Sequence, residues 1–307
     1  MIAVSVIGLG AMGASYAAKL HDSPLAAVTV IAEGARAERL RRDGVRVNGV
    51  RHRFPVVEPD TRVEPADLVI VAVKYTDFAE ALPQIAHHIG DNTVVICLLN
   101  GITSEAEVQQ RYPQSHPLLS ITFGVDAVRV GHDVTYSSLG RIGFGLAHNR
   151  EPYAAPVVWL ADLFDSAGLR YEIFPDMIHQ LWWKYLVNTG VNQVTAALEA
   201  PYAIVQPPQG PARDVMIAAQ REVVRVGQAE GIDLSEADID SWLEVLDQLG
   251  PRQYTSMAQD VLARRPTEVE VFAGAIMRLA AKHGIAVPVN TCLYQLITAK
   301  QALWGLS

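Results

Sequence analysis

Apolar residues recur in two rhythms along this chain, and one gives way to the other near Pro175. Before that point, runs of strand length appear at Ile2 to Ile7, Val28 to Ala32, Leu68 to Val73 and Thr93 to Leu99. Helix-period stretches such as Ala14 to Leu20 and Asp77 to Ile89 separate them. Continuously apolar strands alternating with helices predict a parallel sheet covered on both faces. Asn48-Gly49, between Val45-Arg46-Val47 and the segment Val50 to Val57, has the turn chemistry of a hairpin inserted after the second βα unit. A further strand is expected at Leu118 to Phe123, and the alternating segments Val134 to Ser138 and Arg141 to Phe144 are expected to extend the sheet's edge. A helix from Pro156 to Ser166 and a short strand near Leu169 to Phe174 close the domain.

From Pro175 onward strand-like runs vanish. Helices are predicted at Asp176 to Leu198, Pro211 to Glu230, Ser235 to Leu249, Ser256 to Ala263, Thr267 to Lys282 and Asn290 to Leu303. Gly231 and Gly284 serve as stops, and Pro207-Pro208, Pro251 and Pro266 fall in connections. Two domains are therefore expected: a doubly wound α/β domain over residues 1–174 and an all-α domain over residues 175–307.

The turn after the first strand reads Gly8-Leu9-Gly10-Ala11-Met12-Gly13. In a strand-to-helix context the first glycine permits the tight turn, the second clears the approach of a pyrophosphate and the third lets helix and strand pack closely. The helix N-terminus then offers free N–H groups to phosphates. Glu33 follows Gly13 by twenty positions, where an acidic residue accepts hydrogen bonds from an adenosine ribose. The first domain is thus expected to be a Rossmann-type dinucleotide-binding domain.

The remaining composition narrows the function. Net charge is −8, which argues against non-specific nucleic-acid binding. Cys97 and Cys292 are the two cysteines, far apart and without metal-type spacing, so no metal site or disulfide framework is expected and a reducing cytoplasm fits. The first apolar run ends at Gly8, too short for a signal peptide, and no run approaches a membrane span. A soluble protein is expected, without membrane or nucleic-acid partners. Apolar helical faces in the second domain suggest a homodimer.

Candidate chemistry lies where strands end and where a buried helix turns polar. Lys74 directly follows Leu68 to Val73, and Asn100-Gly101 directly follows Thr93 to Leu99, so both would project toward the crevice at the strands' carboxyl ends, the alternatives being a solvated loop lysine and an ordinary Asn-Gly turn pair. Lys184, Asn188 and Asn192, spaced by four, share one face of a helix otherwise rich in Trp, Leu and Val. Polar groups on such a helix need partners: a substrate bearing a carbonyl and a carboxylate would supply them, the alternative being a lysine that snorkels to solvent and asparagines that tie helices together. Thr267 with Glu270 reads as a capping box that leaves Glu268 in the first turn of the next helix. Ser256 with Gln259 reads as another. The chemistry is expected in the cleft between the two domains.

These elements, in this order, resemble the ketopantoate reductases (2-dehydropantoate 2-reductases) over nearly the full chain. The matching pieces are the glycine turn, Lys74, Asn100-Gly101, the Trp-x-Lys-x-x-x-Asn-x-x-x-Asn helix at Lys184, Ser256-Met257, Thr267-Glu268 with Gly274, the segment His283 to Pro288, and Asn290-Thr291. The resemblance implies an NAD(P)-dependent enzyme of pantothenate biosynthesis that reduces a 2-keto acid to a 2-hydroxy acid. It implies that Lys184 is the proton donor to the substrate ketone and that Glu268 contacts the reacting oxygen's region or orients the lysine. Asn100, Asn188, Asn192 and Ser256 match positions that hold substrate or the nicotinamide end, and Lys74 matches a cofactor contact.

The chain departs from the family pattern twice. Glu33 stands where an arginine usually holds the 2′-phosphate, so the resemblance suggests NADP while Glu33 favours NAD. Arg36, Arg39, Arg41 and Arg42 lie close by, but with Glu38 and Asp43 among them they read as a solvated helix face. Ala273-Gly274 replaces the usual Asn-Gly or Ser-Gly. Both departures lean toward an alternative on the same scaffold, an NAD-linked D-2-hydroxyacid dehydrogenase of the D-mandelate type. A non-catalytic dinucleotide sensor is the distant alternative.

Overall fold

The computed structural model describes residues 1–305. The chain folds as two compact units, Met1–Ile178 and a second from His179 onward. In chain order the first unit holds β1 (Ile2–Ile7), α1 (Ala11–His21), β2 (Ala26–Ile31), α2 (Gly34–Asp43), β3 (Val45–Val47), β4 (Val50–His52), β5 (Val56–Val57) and β6 (Leu68–Val71). Then come α3 (Tyr75–Gln84), a 3₁₀ turn at Ala86–His88, β7 (Val94–Cys97), α4 (Ser104–Arg111) and β8 (His116–Val125). The unit ends with β9 (Val128–Val130), β10 (Asp133–Thr135), β11 (Leu139–Gly145), α5 (Ala155–Ser166) and β12 (Tyr171–Glu172).

The main sheet has the strand order β12-β11-β8-β7-β6-β1-β2-β5. From β5 to β8 all pairs are parallel, β11 runs antiparallel to β8, and β12 lies parallel to β11. The central strands are apolar throughout because successive side chains enter different cores. Val4, Val6, Leu68, Ile70, Val94 and Ile96 pack with α1 and α5. Ile7, Val69, Val71, Val95 and Cys97 pack with Phe78 and Leu82 of α3 and Val108 of α4.

The hairpin at Asn48-Gly49 forms, with φ of +46° and +82° at its two turn residues, the left-handed geometry of a primed turn. It belongs to a separate four-stranded sheet of order β4-β3-β10-β9. Here the structure corrects the sequence reading. Leu139–Gly145 does extend the main sheet, but Val134 and Thr135 lie in β10, which pairs with β3 of the small sheet. An alternating strand reports one covered face but not which sheet provides it.

In the helical region lie α6 (Met177–Leu198), α7 (Pro211–Ala229), α8 (Glu236–Leu246), α9 (Ser256–Leu262), α10 (Ala275–His283) and α11 (Pro288–Trp304), with a single π-helical turn at Glu270–Gly274 leading into α10. Pro211 and Pro288 occupy first-turn positions, where a missing N–H costs nothing. Ser235 and Asp238 make a reciprocal capping box at α8, and Gly284 ends α10 in left-handed geometry. At α11 the buried Glu222 carboxylate of α7 accepts the N–H groups of Val289 and Asn290, both at 2.9 Å. An acceptor charge at a helix N-terminus is the favourable sign there.

Candidate functional site

Within the first unit, β1, β6 and β7 are neighbours, so the glycine turn, Lys74 and Asn100 leave the sheet at one edge, the carboxyl ends of the strands. The three glycines differ in why they must be glycine. Gly8 has φ +91°, and a Cβ there would sit 2.6 Å from the backbone of Ala72. A Cβ on Gly13 would strike the carbonyl oxygen of Gly8. Gly10 is under no such constraint: its φ of −71° is ordinary and a Cβ would meet nothing within 4 Å. Its bareness leaves open space outside the protein, as a ligand-approach position requires. Gly10 is also the N-cap of α1 and carries no capping side chain, so first-turn N–H groups remain for an anion. Leu9 is buried, while Ala11 and Met12 open α1 half-buried.

Glu33 is the exposed N-cap residue of α2 at the end of β2, and Gln84 Nε2 donates to its Oε1 at 3.0 Å. Lys74, also exposed, is the N-cap of α3. The half-buried Asn100 sits beyond β7. A triangle of Tyr75 hydroxyl, Thr103 hydroxyl and Glu107 Oε1, with edges of 2.7, 2.9 and 2.8 Å, ties the two segments together. Behind it Glu105 is buried and accepts from Ser104 Oγ at 2.7 Å and from Ser120 N–H at 3.2 Å. Burial pushes its carboxyl above the usual range, although those donors pull the other way. Ser120 Oγ in turn accepts from the Cys97 N–H at 3.0 Å, which fixes the strand end that launches Asn100. The Cys97 thiol is itself pushed up by burial, so it stays protonated and inert.

Within the helical unit, α6 is continuous from Met177 to Leu198, so Lys184, Asn188 and Asn192 do lie along one stripe. Lys184 and Asn188 are half-buried and Asn192 is 5% exposed, among buried Leu181, Leu186 and Val187. Two hydrogen bonds attach the other candidate segments to this helix. Beside Lys184, the Tyr185 hydroxyl donates to the Phe272 carbonyl at 2.6 Å, and the Phe272 N–H reaches back to the Glu268 carbonyl at 3.3 Å. One turn beyond Asn192, Thr195 Oγ1 lies 2.8 Å from Thr255 Oγ1, immediately before Ser256.

Both capping boxes expected from sequence are corrected. Thr255, not Ser256, caps α9: its hydroxyl accepts the Ala258 N–H at 3.2 Å, and Gln259 Nε2 bonds to the Tyr254 carbonyl instead. Ser256 is released to the exposed first turn. At the second site the Thr267 N–H donates to Gln301 Oε1 at 2.8 Å, while Glu270 turns to Tyr294 and Arg278. The predicted helix Thr267 to Lys282 begins instead at Val269 and passes through the π-turn before α10. Glu268 is therefore the half-buried residue at the helix entrance, with its carbonyl accepting Val271 N–H at 2.9 Å. π-turns of this kind often sit at functional sites.

Sequence reasoning missed the residues that position the site: Tyr75 and Thr103, Tyr185, and Thr195 with Thr255. Only Thr255 left a signal, a second possible N-cap directly before Ser256. Asn290, by contrast, has a scaffold role, accepting from Gln193 Nε2 at 2.9 Å and donating to Glu222 at 2.8 Å. Among the described residues no group of three His, Cys, Asp or Glu is placed to hold a metal ion. No helix there is long and apolar enough to cross a membrane.

The family model for ketopantoate reductase PanE/ApbA matches residues 4–149, and the model for its C-terminal part matches residues 176–301. The chain belongs to the ketopantoate reductase family. As a member it is an oxidoreductase. The 2-dehydropantoate 2-reductase of Halobacterium salinarum is 30% identical over 304 residues, spanning 97% of this chain and 98% of that protein. A D-mandelate dehydrogenase solved with NADH and anilino(oxo)acetate superposes with a TM-score of 0.87 at 25% identity, covering 99% of this chain and 100% of that one. The dimeric ketopantoate reductase from Staphylococcus aureus shares the fold, with a TM-score of 0.77 at 22% identity over 98% and 99% of the two chains.

Proposed function

We propose that this protein reduces a 2-keto acid to the 2-hydroxy acid with a reduced nicotinamide dinucleotide, Lys184 supplying the proton. The observation that carries the reading is the stripe Lys184, Asn188 and Asn192 on a largely buried helix, with the Glu268 and Ser256 segments bonded to the same helix. The dinucleotide fits the first unit because Gly10 alone of the three turn glycines is bare without a packing reason. When bound, the nicotinamide supplies a hydride.

The chain's own residues do the rest. The Lys184 ammonium donates a hydrogen bond to the ketone oxygen, stabilises the negative charge that develops there, and passes a proton from Nζ to it. Glu268 orients the lysine or contacts the region of the reacting oxygen. Asn188, Asn192 and Ser256 offer amide and hydroxyl donors to the substrate carboxylate, and Asn100 to the keto acid or nicotinamide amide. Lys74 contacts the cofactor, and Glu33 keeps Oε2 for a ribose hydroxyl.

Ketopantoate is the substrate favoured by the names of the relatives, among them the Halobacterium enzyme. A second reading, a D-mandelate-type dehydrogenase, is favoured by the likeness to that enzyme's NADH complex and by Glu33. A spectrophotometric panel crossing NADH and NADPH with ketopantoate, 2-ketoisovalerate and phenylglyoxylate tests both. Turnover with ketopantoate far above the others supports the first, phenylglyoxylate with NADH supports the second, and no oxidation with any pair defeats the reductase reading. Lys184→Ala is expected to lower kcat by about a hundredfold or more with the fold intact.

A further inference from the structure

The loop that carries Asn100 leaves β7 where the sheet itself stops holding it. The parallel ladder between β7 and β8 ends at the pair Ile96 and Leu118. One residue on, Cys97 turns its backbone to a side chain instead of a strand: its nitrogen and its carbonyl oxygen each lie 3.0 Å from Ser120 Oγ. Leu98 is tied on the opposite edge, where its N–H donates to the Val71 carbonyl of β6 at 2.7 Å. Asn100 follows two residues later, and Gly101, with φ +116°, turns the chain toward α4. Three residues beyond Asn100 the chain is tied again, by Thr103 in its triangle with Tyr75 and Glu107.

The Ser120 hydroxyl is itself held from behind. Glu105 Oε1 lies 3.2 Å from the Ser120 nitrogen and 3.3 Å from its Oγ, and Oε2 accepts from Ser104 Oγ at 2.7 Å. All three side chains are buried. Glu105 stands in the first turn of α4, where the helix dipole favours a carboxylate. Even so, taking a carboxylate out of water is costly, and an apolar side chain of similar size would fill the same space without that cost. Stability alone therefore does not account for a glutamate here. What it adds is direction: a free hydroxyl rotates to suit its surroundings, whereas one fixed by Glu105 keeps a lone pair on the Cys97 N–H.

We infer that Ser120 and Glu105 are positioning residues for Asn100: together they supply the rung that β8 lacks at the end of β7, and so set where the Asn100 amide meets substrate or nicotinamide. The inference rests on the role given to Asn100 above and deepens it. Both residues act through the backbone of β7. A shift of about 1 Å at the amide is enough to cost on the order of a hundredfold in rate.

Steady-state kinetics on the full-length protein test this, with NADH or NADPH and whichever of ketopantoate, 2-ketoisovalerate and phenylglyoxylate is turned over fastest. The variants are Asn100→Ala, Ser120→Ala, Glu105→Leu and Glu105→Gln, with the last three also combined with Asn100→Ala. Ser120→Ala and Glu105→Leu are expected to lower kcat about ten- to a hundredfold while leaving the Kd of ADP, a probe of the glycine turn, unchanged. Glu105→Gln keeps an acceptor for the Ser120 N–H and is expected to stay within about threefold of wild type. In the Asn100→Ala background the same substitutions are expected to change kcat by less than about twofold, because the group they place is gone. Losses that multiply in the double variants would show that the two residues support the fold at large, and would overturn the inference. Wild-type kcat in Glu105→Leu would overturn it as well, even if Ser120→Ala did not fold. If Asn100→Ala alone kept full turnover, the role of Asn100 would fall and this inference with it, while the reductase reading stood. Absence of turnover in the wild type would end all three.

Discussion

Glu33 is the residue at which two demands on one position conflict. On the proposed reading its carboxylate accepts a ribose hydroxyl, yet it is the N-cap of the helix that carries Arg36 and Arg39. At short range a carboxylate beside a phosphate costs more than a neutral acceptor, because both carry negative charge. Glu33→Gln keeps an acceptor for the hydroxyl and for the Gln84 contact while removing the charge. NADPH is expected to bind about five- to tenfold tighter to this variant and NADH slightly weaker. A Kd ratio that does not move would mean that Glu33 stands away from the adenosine ribose. Lys74 and Asn100 are different in kind, since what makes them candidates is where β6 and β7 end rather than their own charge.

Among the elements, the 3₁₀ turn at Ala86–His88 shows how a buried polar contact sets pH dependence. His88 is 2% exposed and its Nδ1 lies 2.8 Å from Ser5 Oγ on β1, which pins the turn to the sheet. Burial, with a smaller contribution from the charge of His87, pushes its pKa down to about 4. The unfolded chain therefore binds the proton first. The stability that neutral His88 contributes is complete above its ordinary pKa of about 6.5 and is lost as pH falls through the folded value, about 3 kcal/mol by pH 4. Urea unfolding from pH 7 to pH 4 is expected to show the advantage of wild type over His88→Asn shrinking across that window. A difference independent of pH would show that the ring does not titrate on unfolding. The same scale decides what was legible beforehand. β1, β6, β7 and α6 were readable because hydrophobic period and length fix them. The partners of Val134, Thr255 and Glu270 were not, because each depended on a residue remote in sequence: Val47 of β3 for the strand, Thr195 for the cap's neighbour, and Tyr294 for the carboxylate. The stripe on α6 was legible for the same reason as the helix. Of the residues that attach Ser256 and Glu268 to it, only Thr255 carried a local signal, as a possible N-cap.

At the scale of the molecule, each unit has to keep its own core while one of them answers to a ligand, and the glycine turn lets those two properties be separated. Gly10 and Gly13 differ by three residues and by opposite physics: a Cβ meets open space at the first and the Gly8 carbonyl at the second. Gly10→Val is therefore expected to leave the melting temperature of the protein alone nearly unchanged, within the roughly 1 kcal/mol that a poorer N-cap costs. Gly13→Val forces helix and strand apart and is expected to lower it by many degrees or prevent folding. Bound dinucleotide at about a hundred times its Kd contributes roughly 2.7 kcal/mol to the folded state, which for a unit of this size raises the midpoint by about 5–10 °C. Wild type is expected to show that rise with NADH in a thermal melt, and Gly10→Val to lose it, because the branched side chain fills the path of the pyrophosphate. If Gly10→Val kept the full rise, the open space at Gly10 would have no bearing on the dinucleotide, and the fit of the first unit to its cofactor would need another ground. If the variant unfolded on its own, the space seen there would be needed by the fold rather than by a ligand.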